Sequence, residues 1–249
     1  MFVAASSECF PSLSLDAVLE RLVDLEYTSI EIAIHETGGP LKPSAVLADL
    51  DSAIAACRET YRLTISGYSV DIEATDELYY KQFEACCRLA KATKVVTLAV
   101  PAAELGTPFN AEIERLQRLV AIASREGVLV GLKTQTGRIT QDPDTAVVLC
   151  DNVKGLGLTL DPSHYVYGPH AGGSYDHVMK YVYNVHLRDT TKDKLQVRVG
   201  QGQIEYSRLI TQLSKVHYNR ALTVHISEMD GVDHAAEMRK MRLLLESML

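Results

Sequence analysis

The 249-residue sequence has no tryptophan and only four phenylalanines, so its core must be filled mainly by aliphatic side chains. It also lacks an excess of positive charge. Lys and Arg number 25 against 32 Asp and Glu, the net charge is −7, and the basic residues are scattered. A nucleic-acid backbone, which is bound by clustered cations, is excluded as a partner on that ground. The five cysteines (Cys9, Cys57, Cys86, Cys87 and Cys150) form no C-x-x-C pair. Reduced thiols in a cytoplasmic protein are expected rather than a disulfide framework. The opening "MFVAASSECF" has neither a basic start nor a long apolar run, so it does not read as a secretion signal. No stretch approaches the roughly 20 apolar residues that cross a bilayer, so no membrane partner is expected. Glycine is missing from "ASSECFPS" after the first apolar run. That absence argues against an open doubly wound sheet, which usually carries a Gly-rich nucleotide turn there.

What the sequence does have is alternation. Short apolar runs occur at 2–6, 29–35, 63–69, 95–100, 128–133, 155–161, 182–187 and 221–226, with amphipathic segments between them. In "LDAVLERLVDL" (15–25), Leu15, Val18, Leu19, Leu22 and Leu25 form one stripe. In "NAEIERLQRLVAIASREG" (110–127), Asn110 reads as an N-cap and Gly127 as a stop. An extra piece, "KLQVRVGQGQIEY" (194–206), precedes the seventh helix. Eight strands and eight helices in strict alternation predict a single (β/α)8 TIM barrel over residues 1–249.

Strand parity sorts the side chains into two sets. Ile30, Ile32 and Ile34, Val130 and Leu132, Leu158 and Leu160, and Leu222 and Val224 are bulky and apolar, and are expected to pack against helices. Tyr183 is placed with them. The opposite set is small or polar and is expected inside the barrel. Its members Glu31, His35, Tyr68, Lys133, Asp161, His186 and His225 become ionisable toward the C-terminal strand ends, where barrels of this kind carry their chemistry. Asp161, on the neighbouring strand, is the expected counter-charge of Lys133. Glu31 is the only other carboxylate read on the inward set. Arg188 is expected on the parity opposite to His186 unless the strand has ended. It and Arg138, Lys192, Lys194 and Arg198 are candidates for gripping an anion. The "VGQGQ" glycines read as a tight turn, with a phosphate cradle as the alternative.

Three segments carry a family resemblance: "LTLDPSHY" (158–165), "NVHLRDT" (184–190) and "VGQGQIEY" (199–206), in that order. They resemble the xylose isomerase-like TIM-barrel superfamily, and most closely its sugar phosphate isomerase/epimerase group. The resemblance implies a small sugar or sugar phosphate as substrate and a homo-oligomeric assembly. It also implies a divalent metal held by Glu, Asp, His and Glu on strands five to eight, with the glutamates moving the proton. Those four positions are Lys133, Asp161, His186 and His225 here, so both glutamates are missing. Lys133 and Asp161 cancel in charge and neutral histidines add nothing, so the pocket balances without a cation. Lys133 is therefore read as standing in the place of the metal. The alternative is zinc or manganese on Asp161, His186 and His225.

Lys133, Glu31, Asp161, His186 and His225 are the candidate catalytic residues. His164 (by the resemblance), His35, Arg188 and Tyr68 are the candidate substrate-binding residues. The leading expectation is an isomerase- or epimerase-like protein with no cofactor, in which Glu31 or Lys133 moves a proton beside a carbonyl. The competing expectation is a catalytically inactive relative that binds a sugar-like ligand. A further branch of the superfamily cleaves DNA at abasic sites, but it needs clustered metals and a basic groove that this sequence lacks.

Overall fold

The computed structural model describes residues 1–249. Eight parallel strands close in chain order into a barrel: β1 (Phe2–Ser6), β2 (Ser29–His35), β3 (Thr64–Asp71), β4 (Thr97–Val100), β5 (Leu129–Lys133), β6 (Leu156–Leu160), β7 (Val182–Leu187) and β8 (Ala221–Val224). β8 pairs back onto β1, with Phe2 opposite Ala221 and Ala5 opposite Val224. This is the (β/α)8 architecture that the alternation predicts.

Helices α1 (Leu15–Asp24), α2 (Pro43–Ala48), α3 (Leu50–Ala56), α4 (Asp76–Ala92), α5 (Phe109–Arg125), α6 (Pro143–Asn152), α7 (Ser163–Val166), α8 (Tyr206–Lys215) and α9 (His234–Glu246) surround it. The expected one-helix-per-strand count fails in two places. Two short helices, α2 and α3, share the β2–β3 connection, divided at Asp49, whose side chain caps α3. The β6–β7 connection holds only the four-residue α7 and a 3-10 turn at Asp176–Tyr181. Helix α5 begins after Pro108, so Asn110 lies inside its first turn and is not its cap. Gly127 does end that helix, in the left-handed conformation that glycine adopts without strain.

The apolar set faces outward and is sealed. Ile30, Ile32, Ile34, Leu132, Leu158, Leu160 and Val224 are fully buried, as are Val18, Leu19 and Leu22 of α1 and Met238, Met241 and Leu245 of α9. All belong to one continuous core. At roughly 1.5–3 kcal/mol for each large aliphatic side chain, this layer drives closure and frees the inward positions for polar groups.

Parity misplaces two tyrosines. A bulge at Ser66 breaks the β2–β3 register: Ile30 pairs with Ile65, but Glu31 pairs with Gly67. Beyond it Gly67, Ser69 and Asp71 share the register of Glu31, Ala33 and His35, and Tyr68 points outward. Its hydroxyl meets Thr93 Oγ1 at the end of α4, at 2.9 Å. Tyr68 is therefore removed from the substrate-binding candidates. A second irregularity, between Leu158 and Thr159, leaves Tyr183 unpaired. Its ring fills the space that a side chain on Gly157 would need, and Gly157 is a member of the inward set.

Candidate active site

A cavity of about 200 Å³ opens at the C-terminal strand ends. Lys133, Asp161, His164, His186, Arg188 and His225 all line it, together with Glu8, Thr134, Gln135, Thr159 and Leu195. Six sequence-predicted residues are thus brought together on five neighbouring elements. Leu195, from the extra segment before α8, is the only hydrophobic residue of the lining.

Glu8 was not among the expected residues. It sits on the 3-10 turn Ser7–Cys9 that follows β1, capped by Ser6 Oγ, which accepts from the Glu8 N–H at 3.2 Å. Glu8 Oε1 accepts from Ser69 Oγ at 2.6 Å and faces Lys133 Nζ at 3.5 Å. Its Oε2 lies 3.2 Å from His225 Nε2, though not aligned as a hydrogen bond. Burial opposes ionisation of Glu8, but Lys133, His225 and His35 outweigh it and hold the carboxyl well below its ordinary range. Burial drives His225 down to about 4 against the opposing pull of Glu8, with Arg188 adding to the shift, so its imidazole is neutral at pH 7. The His225 ring stacks on His186 at 4.6 Å between centroids. His35 stands beside this cluster, 3.1 Å from Ser69 Oγ and 3.7 Å from Glu8 Oε1, and is outside the cavity lining.

The opposite wall is built on Asp161. Arg188 donates to its Oδ2 through Nε at 3.2 Å and Nη2 at 3.0 Å. Ser163 donates to Oδ1 from its backbone N–H at 3.0 Å and from its hydroxyl. Burial would raise the Asp161 carboxyl, but Arg188, His164 and Ser163 hold it far below its usual value. Arg188 Nη2 also contacts His225 Nδ1. His164 receives the Thr136 N–H on Nδ1 at 3.2 Å, and burial lowers its pKa despite Asp161 nearby.

Two expectations are corrected here. Lys133 pairs with Glu8 and not with Asp161, because Arg188 occupies Asp161. Arg188 lies two residues beyond His186 and so shares its inward parity instead of opposing it.

Glu31 lies beneath the cavity and does not line it. It is 1% exposed, with Oε1 at 2.6 Å from His186 Nε2 and Oε2 accepting from Asn184 Nδ2 at 2.5 Å. Burial would raise its pKa, but the adjacent His186 lowers it. Two of the proposed anion grips are spent elsewhere: Arg138 lies 3.5 Å from Glu104, and Arg198 3.5 Å from Glu237. Neither Lys192 nor Lys194 lines the cavity. The "VGQGQ" amides hold a carboxylate of the chain itself: the N–H groups of Gly200 and Gly202 donate to Asp189 Oδ2 at 2.7 and 3.0 Å. A Cβ on Gly202 would overlap that carboxylate, which explains the glycine.

Comparisons with known proteins agree with this architecture. A xylose isomerase-like TIM barrel in complex with magnesium, from Mycobacterium smegmatis, superposes with a TM-score of 0.77 at 17% identity, covering 99% of this chain and 97% of that one. An L-ribulose 3-epimerase gives a TM-score of 0.76 at 15% identity over 100% and 96%. The 3-keto-D-glucoside 4-epimerase of E. coli gives 0.75 at 14% identity over 99% of both chains. A search of curated proteins finds no match. The family model for the xylose isomerase-like TIM barrel matches residues 19–246, nearly the whole sequence, and the chain belongs to that family.

Proposed function

We propose that this protein acts on a small hydroxy-carbonyl compound of the sugar class, as an isomerase- or epimerase-like enzyme, without the divalent cation of its relatives. Two structural neighbours are named for sugar epimerisation, a reaction class in which a proton leaves and rejoins a carbon beside a carbonyl. Another neighbour holds magnesium. Here the four positions that correspond to the family's ligands are unsuited to such an ion. Lys133 brings an ammonium group, and both Asp161 oxygens already accept hydrogen bonds from Arg188 and Ser163. His186 Nε2 is turned to Glu31, and His225 Nδ1 meets the Arg188 guanidinium. A cation placed among them would face two fixed positive charges at short range.

The observation that carries the reading is Glu8 poised between Lys133 and His225, the two residues that replace the family's glutamates. Glu8 is ionised, faces the cavity, and serves as the base that removes the proton. Lys133, 3.5 Å away, stabilises the oxygen on which negative charge develops. His225, neutral and beside Glu8, is the second group able to carry a proton, and His186 and His164 orient hydroxyls. Glu31, for its part, orients His186 from below.

Incubating chelator-treated protein with a panel of ketoses and their phosphates in D2O tests this directly. Deuterium should enter at the carbon beside the carbonyl, and Lys133→Ala should abolish its incorporation. A ligand-binding protein without turnover is the second reading, favoured by one feature: both carboxylates that line the cavity are already ion-paired. Thermal stabilisation by a ketose without any exchange would favour that reading.

A further inference from the structure

Hydrogen-bond donors and acceptors on the Asp161 wall of the cavity are out of balance. On the acceptor side, Asp161 is filled by Ser163 and Arg188, and Glu8 Oε1 by Ser69 and Lys133. The donors are open. Arg188 spends Nε and Nη2 on Asp161 and His225, while Nη1 bonds nothing in the protein and is not sealed from solvent. His164 takes the Thr136 N–H on Nδ1, which places its own proton on Nε2. That nitrogen is 3.8 Å from Asp161 Oδ2, too far for a hydrogen bond. A sugar hydroxyl brings one donor with its acceptors, and on this wall its hydrogen would meet Asp161, whose two oxygens are already in use. A carboxylate brings only acceptors.

We infer that the cavity takes a sugar acid, a small polyhydroxy keto acid whose carboxylate is held by Arg188 Nη1 and His164 Nε2 on the Asp161 wall. Its carbonyl then lies toward Lys133 and Glu8 on the other wall, where the proton is moved. The inference rests on the hydroxy-carbonyl reading above and names the group that recognises the substrate. A carboxylate is preferred to a phosphoryl group because the loop amides able to cradle a phosphate are committed to Asp189.

Calorimetric titration of the chelator-treated protein with 2-keto-D-gluconate, D-fructose and D-fructose 6-phosphate tests it. The keto acid should bind about ten- to a hundredfold more tightly than fructose, the range expected for charge-assisted hydrogen bonds. His164→Gln retains an acceptor for the Thr136 N–H and should weaken the keto acid about tenfold, well beyond any loss of fructose binding. Fructose binding as tightly as the keto acid, or the phosphate ester binding in its place, would overturn the carboxylate assignment and leave the sugar reading standing. Binding of none of the three would overturn both. The wild-type ratio decides the matter even if the variant does not fold.

Discussion

Glu31 and Glu8 turn into the barrel from adjacent segments, yet one is sealed and the other opens on the cavity. Glu31 is 1% exposed and holds His186 and Asn184, whereas the Glu8 side chain is 20% exposed and stands between Lys133 and His225. The difference lies in depth. Glu31 pairs in register with Ser6, the last residue of β1, while Glu8 lies two residues beyond that strand end on a turn. A carboxylate with both oxygens bonded beneath the floor supports its neighbours. One at the rim, beside a fixed cation, is placed to handle a proton.

Substitution should separate the two roles. Glu8→Gln is expected to cut deuterium exchange by about 10²- to 10⁴-fold, the usual worth of a general base. Glu31→Ala leaves His186 and Asn184 without their buried partner. It should cost about 3–5 kcal/mol of stability, read by urea denaturation. Acid unfolding sharpens the contrast. Both carboxyls titrate lower in the folded chain than their unfolded value near 4.5, so the unfolded chain takes up protons first. The stability they contribute is present above that value and is lost as pH falls through the folded one. Replacing either with Gln should flatten this acid limb, and Glu8 more than Glu31, because its shift is the deeper.

His225 acts over a higher window. Its folded value of about 4 lies below the unfolded 6.5, so the unfolded chain binds the extra proton between them. Stability should decline as pH drops through that interval, and His225→Asn should reduce the slope. The smallest effect is expected at Tyr68, which faces the helices. Tyr68→Phe loses only the contact with Thr93, about 1 kcal/mol in urea denaturation, with exchange activity unchanged.

Alternation alone was enough to read the barrel, because each strand must bury one apolar face against a helix whatever the loops do. Parity then placed Lys133, Asp161, His186 and His225 on the inner face, since Lys133 and His186 lie on β5 and β7 and Asp161 and His225 directly follow β6 and β8. It failed at Tyr68, because a one-residue bulge reverses every side chain beyond it and leaves no periodic mark in the sequence. Glu8 follows its strand and so lies outside the apolar run, although Ala4, Ser6 and Glu8 continue one parity that marks it as inward. The partner of Lys133 is hidden for the same reason: Asp161 is its counter-charge only if Glu8 is absent from the rim and Arg188 is turned away from Asp161. Contacts between side chains from distant segments depend on side-chain reach and register, which hydrophobic pattern does not encode.

Lys133 standing where relatives seat a metal ion is tested most directly by titrating manganese and zinc into chelator-treated protein in a calorimeter. The expected result is no stoichiometric binding in the micromolar range, with deuterium exchange unchanged by either ion. One-to-one binding that disappears in Asp161→Asn, accompanied by exchange that depends on the added ion, would contradict it.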